Sequence, residues 1–267
     1  MWPFLGMRRR RILAQPFPSA WREILRARMV HYARLSGPER TLLEQLVQLF
    51  VAEKRWEGLG GLRLADEIRV TIAGQACLLL LGFTRDPVRC ELYRNVKSIL
   101  VYPTTVVPKR VGEPIFGPTR VVDPIVPVLG EAHLQGPVIL TWDSVLRGSV
   151  HAEFGHNVVY HEFAHKLDMQ DGRSDGTPPL ASRAQYAQWT AVCTREYAAL
   201  RERIARGEPT FLDPYGGTSE AEFFAVATEH FFDQPAALRA QHPDLYAVLQ
   251  DFYRQDPATA ELSSSEA

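Results

Sequence analysis

His161-Glu162-Phe163-Ala164-His165 spells H-E-x-x-H, two imidazoles four residues apart with a carboxylate beside the first. On a helix, positions i and i+4 share a face one turn apart, so both rings can reach one metal ion. Glu162 then stands where it can take a proton from a metal-activated water. The plain alternative is a surface helix with two ordinary histidines. Val158-Val159-Tyr160 and Phe163-Ala164 argue against it, because they make the segment too apolar for a solvated helix.

A catalytic zinc needs a third protein ligand and keeps a further position for water. Asp171 stands six residues after His165, the metzincin position, but Asp168 occupies the site of the metzincin glycine, so the turn that would aim Asp171 is not encoded. Asp168 lies on the face of the two histidines and suits the holding of an imidazole N–H better than ligation. Downstream, Ser219 to Phe232 reads as an apolar helix carrying Glu222 and Glu229 seven residues apart, on one face. A buried acid there is costly unless it binds a cation or is otherwise paired. Ser219-x-x-Glu222 is also a capping box, and spacing alone leaves both readings of Glu222 open. His230, beside Phe231-Phe232 at the helix end, is a weaker ligand.

The elements that must position these residues are mostly helical. Apolar spacing predicts helix from residue 19 to about 56, broken at Ser36-Gly37-Pro38, and a second buried helix from about Asp66 to Leu81. The period then changes. Ser98 to Tyr102, Arg120 to Val122, Ile125 to Leu129 and Pro137 to Trp142 read as short strands, the middle two broken by prolines as edge strands often are. Helix returns from about Asn157 to Asp168, Ser182 to Arg206, Ser219 to Phe232 and Ala236 to Arg254. Helices, a small mixed sheet, then helices carrying the site describe an α+β unit. The expected organisation is a flexible arm over 1–18, one domain over 19–257 and a disordered tail over 258–267.

With 30 basic and 31 acidic residues, the net charge is −1, which excludes the basic excess of a typical nucleic-acid binder. The three cysteines form neither a disulfide framework nor a C-x-x-C pair, so a cytoplasmic setting is expected. The longest apolar run, Ala76 to Phe83, is far short of the ~20 residues of a membrane span. Arg8 to Arg11 follow the apolar N-terminal residues, the reverse of a secretory signal, and read as a solvated arm rather than a membrane contact.

Several segments together resemble the Mlc titration factor A family of bacterial zinc-dependent peptidases. They are Gln75 to Leu80, Ile99 to Pro103, Gly136 to Trp142, His161 to Asp168, Asp213-Pro214-Tyr215, Ala221 to Val226 and Phe252 to Pro257, in matching order from about Trp21 to Pro257. The resemblance implies a zincin-like core related to that of anthrax lethal factor. It implies one Zn²⁺ per chain held by His161, His165 and Glu222, with Glu162 as general base and Tyr215 facing the site. A peptide or protein is the implied substrate. The family's name comes from sequestering a transcriptional repressor of sugar uptake, which is the alternative role and partner it implies. The Arg8 to Arg11 cluster is not expected of the family.

Overall fold

The computed structural model describes residues 3–104, 136–150 and 155–259. Four helices precede the first strand: α1 (Pro3–Leu13), α2 (Ser19–Arg28), α3 (Val30–Arg34) and α4 (Gly37–Glu53). The break at Ser36 is a helix start, because Ser36 and Glu39 form a reciprocal capping box and Pro38 sits in the first turn. Behind it Leu43, Leu46, Val47, Leu49 and Phe50 are fully buried. Residues 3–13, expected in a free arm, form helix α1. Its Arg9 is only 4% exposed, bonds both oxygens of Glu53 at 2.7 Å and donates to the carbonyls of Val88 and Cys90. A local charge run cannot reveal a carboxylate that arrives from α4.

Residue 55, read from the sequence as helix, begins strand β1 (Arg55–Gly58). Lys54 turns the chain into extended backbone, and its ammonium donates to the carbonyls of Leu92, Tyr93 and Val96. Helix α5 (Asp66–Leu78) is buried on nearly every side, as its apolar sequence requires. Strands β2 (Ser98–Tyr102) and β3 (Val138–Thr141) complete a sheet of order β1-β2-β3. Both pairings are parallel, with Arg55 opposite Ser98 and Ile99 opposite Val138, so the described sheet is parallel where a mixed one was expected. Inward-facing Ile99, Val101, Val138 and Leu140 join the core. The proline-broken strands expected at 120–122 and 125–129 lie outside the described residues, as does the tail from 260. Ala258 at its start is buried.

Among the described residues six helices follow: α6 (Trp142–Val150), α7 (Val158–Asp168), α8 (Arg183–Ala205), α9 (Glu220–Asp233), α10 (Pro235–Gln241) and α11 (Pro243–Tyr253). Helix α7 turns Phe163 inward against Phe50 and Tyr93, at ring distances of 5.7 and 4.7 Å. Fully burying such a ring contributes about 2–3 kcal/mol. Helix α9 is held by Tyr197 on Phe223, by Trp189 on Phe224 and by Tyr253 on Phe231 and Phe232. Mostly helical α+β architecture is therefore what the chain adopts.

His31 of α3 ties the two helices together from behind. Its Nε2–H donates to the Phe232 carbonyl at 2.7 Å, and its Nδ1 accepts from the Tyr160 hydroxyl at 3.1 Å. Both nitrogens are used by a neutral ring, and burial pushes its pKa down to about 4. The nearby charged groups are Arg34, which lowers it further, and Asp233 at 3.7 Å. Because the folded value lies below that of the unfolded chain, this contribution is complete above pH ~6.5 and is lost as pH falls toward 4. Between pH 7 and 5, wild type is expected to lose about 2 kcal/mol more unfolding free energy than His31→Gln in urea titrations. Equal losses would show that His31 does not govern acid stability.

Candidate metal centre

Asn157 starts α7 in the way its sequence suggests. Its Oδ1 accepts from the backbone N–H of Val159 and Tyr160, satisfying donors that the first turn leaves unpaired. The helix then presents His161 and His165 toward α9, their rings 4.8 Å apart. On α9, the Ser219 hydroxyl accepts from the Glu222 backbone N–H at 3.2 Å. The Glu222 carboxylate, however, lies 2.9 Å from His161 Nε2 and 3.3 Å from His165 Nε2. Only half of a capping box forms, and the acid side chain is turned to the histidines.

Three donor atoms, His161 Nε2, His165 Nε2 and Glu222 Oε2, thus form a triangle with its third side 3.2 Å. Ligands of a tetrahedral zinc with bonds of 2.0–2.1 Å are about 3.3 Å apart, so the spacing fits one such ion. The chemistry fits as well. His161 Nδ1–H donates to Glu229 Oε1 at 2.8 Å, which turns the lone pair of Nε2 into the triangle. Glu222 Oε2 is buried there without a properly aligned hydrogen bond. Burial alone would lower the His161 pKa, but Glu222 and Glu229 overcome it and raise it to about 10. Burial likewise opposes ionisation of Glu222, yet the two histidines bring it down to about 2. The cluster is built to stabilise positive charge. Among the described residues, these three are the group able to hold a metal.

The other candidates separate clearly. Asp171 is exposed in a short turn and accepts from the Arg173 backbone N–H. His230 faces the carbonyls of Val226 and Phe211. Asp168, expected to hold an imidazole, instead accepts from Gly176 N–H at 3.0 Å, and burial raises its pKa to about 6. Among the described residues, neither its second oxygen nor His165 Nδ1 has a hydrogen-bond partner. The carboxylate that does hold an imidazole is Glu229. Its seven-residue spacing from Glu222 marked it as a same-face acid, but nothing local named His161 as its partner. Glu229 also accepts from the Asn157 backbone N–H, joining the end of α9 to the start of α7.

The far ends of these helices meet as well. Gly176, whose N–H serves Asp168, adopts φ +75°, and a Cβ there would lie 2.3 Å from the Glu220 carbonyl. Glycine is required at this contact between the loop after α7 and the first turn of α9.

Tyr215 rides on a 3-10 turn, Pro214–Gly217, which Asp213 caps by accepting from Tyr215 N–H at 2.7 Å. Gly216 lets the turn pack directly on α9, since a Cβ would sit 3.2 Å from Val226 Cβ. The Tyr215 ring is 6.0 Å from that of His161 and 51% exposed. Burial, with Glu222 and Glu162, raises its pKa, so its hydroxyl stays protonated. A cleft of about 480 Å³ opens onto His161, lined also by His156, Asn157, Asp213, Tyr215 and Glu229. Glu162 is half-buried, and its charge adds to the upward shifts of His161 and Tyr215 and partly offsets the burial that lowers Lys166.

The sequence profile of the family described as glucose-regulated metallo-peptidase M90 matches residues 4–254. An uncharacterized protein of Synechocystis sp. is 36% identical over 95% of this chain and 90% of its own length. Mlc titration factor A of Pectobacterium atrosepticum is 32% identical, covering 84% of this chain and 82% of its own. The protein of that name from Yersinia pestis is 29% identical over 89% and 84%.

Proposed function

Because the chain belongs to the glucose-regulated metallo-peptidase M90 family, we propose that it is a zinc-dependent peptidase whose metal site is the triangle of His161, His165 and Glu222. The observation that carries this reading is the convergence of those three donors from two helices at the spacing of one tetrahedral ion. Zinc held there supplies Lewis-acid polarisation of a carbonyl oxygen and acidifies water. Glu162 takes the proton of the attacking water and passes it to the leaving amine. Tyr215 donates its hydroxyl proton in a hydrogen bond to the developing oxyanion. Strand β3 is an edge of the described sheet, with Ile139 41% exposed, and offers an extended peptide main-chain pairing. The three free cysteines suit a cytoplasmic setting.

Metal analysis and a peptide-library cleavage assay test the reading together. One zinc per chain is expected, with cleavage lost on chelation and restored by zinc. Cleavage that persists in fully metal-free protein would refute it. Glu229→Gln is expected to weaken zinc binding by about 10- to 100-fold, as removal of a supporting carboxylate does, while leaving one zinc per chain at saturation. Unchanged affinity in a competitive zinc titration would remove Glu229 from the site.

A second reading rests on the name Mlc titration factor A borne by relatives: a regulatory protein that sequesters a transcriptional repressor, with peptidase activity secondary. In that case a Glu162→Gln variant keeps repressor binding and its cellular effect.

A further inference from the structure

Helix α1 distributes its four arginines unequally. With 3.6 residues per turn, Arg9 falls on the side facing the body, together with Leu5 and Ile12. Arg9 is buried on Glu53, while Ile12 and Leu13 pack against the core. These contacts fix the roll of the helix. The opposite face then presents Phe4 and Met7, which are 74% and 54% exposed and one turn apart. Arg8, Arg10 and Arg11 surround them, all exposed. Arg8 touches the Ala52 carbonyl at 3.1 Å. Among the described residues, the ion pair formed from α1 is that of Arg9 with Glu53.

We propose that α1 docks the protein on the surface of an anionic lipid bilayer. Phe4 and Met7 enter the boundary between headgroups and acyl chains, and Arg8, Arg10 and Arg11 lie on lipid phosphates. The combination selects this occupant. A nucleic acid would engage the arginines but leave Phe4 and Met7 in water. An apolar protein groove would take Phe4 and Met7 but gain nothing from cations on both flanks. A bilayer interface takes both, the two apolar side chains below the headgroups and the long arginine side chains reaching up to the phosphates. The attraction is local, because the whole chain carries a net charge of only −1. At 11 residues α1 lies on the surface, and no helix among the described residues is long and apolar enough to cross. The helix is already folded and oriented, so docking does not require ordering it.

Sedimentation of the full chain with vesicles tests the proposal. Binding to phosphatidylcholine vesicles containing phosphatidylglycerol is expected, with little binding to phosphatidylcholine alone and a steep decline with added salt. Each arginine at the surface is worth about fivefold, so the triple variant Arg8→Gln/Arg10→Gln/Arg11→Gln is expected to bind about 100-fold more weakly. Phe4→Ser/Met7→Ser is expected to weaken binding about tenfold or more. Both variants should retain wild-type circular dichroism and near wild-type thermal unfolding, since Arg9 and the packed face are untouched and Arg8→Gln gives up one exposed hydrogen bond to the Ala52 carbonyl. Equal binding to neutral and anionic vesicles would overturn the proposal, as would no binding at all, or folded variants that bind like wild type. Retention of a DNA duplex in place of vesicles, or dimerisation abolished by Phe4→Ser/Met7→Ser, would assign the face to another occupant and also overturn it.

Discussion

Replacing Glu162 by Gln is expected to lower kcat/KM for a cleavable peptide by about 10²- to 10⁴-fold while leaving one zinc per chain. The amide has the shape of the carboxylate but cannot accept a proton near neutral pH. Glu162 stands apart from the donor triangle, so its replacement leaves His161, His165 and Glu222 in place. The loss belongs to the chemical step and should fall on kcat, with KM little changed. Steady-state kinetics and metal analysis on the same preparation provide the check. Activity within about tenfold of wild type would exclude Glu162 as the base.

Glu222→Ala is the second decisive change. Its backbone N–H still reaches the Ser219 hydroxyl, so the start of α9 keeps its cap. What disappears is a carboxylate 2.9 Å from one imidazole and 3.3 Å from the other. Zinc affinity is expected to fall well beyond the ~10- to 100-fold typical of a supporting residue, and peptide cleavage with it. Asp171→Ala, in an exposed turn, is the comparison and should bind zinc as wild type does. Competition against a chromogenic chelator distinguishes the two. Full zinc affinity in Glu222→Ala would dissolve the proposed two-helix site.

How much of this was legible depended on the range of the interaction. The H-E-x-x-H helix was readable because its chemistry is set by i to i+4 geometry within one element, and α7 begins and ends where apolar spacing puts it. Glu222 is visible as an acid in an apolar helix, but Ser219 explains it equally well, and only the resemblance favours ligation. Glu229 stands out for the same reason, but its partner does not, because pairing across helices leaves no trace in spacing. Asp168 shares the face of the histidines, which points to an imidazole partner, yet its carboxylate accepts from the Gly176 N–H of the following loop. The same limit explains β1 and α1. Four residues, Arg55 to Gly58, carry too little pattern to announce a strand, and its pairing with β2 defines it. Arg9 reads like its neighbours until Glu53 meets it.

The contacts at the two ends of α7 have a mechanical consequence. At one end Asn157 meets Glu229, and at the other the loop at Gly176 abuts Glu220. A part held at a single point can pivot; one located by two pins cannot. Glu222 rides between those pins, two residues from Glu220 and seven from Glu229, so its distance to the histidines is a matter of alignment rather than of reach. The tolerance of the whole assembly is therefore set by a glycine with no side chain at all and by a backbone N–H held on the same carboxylate that steadies His161.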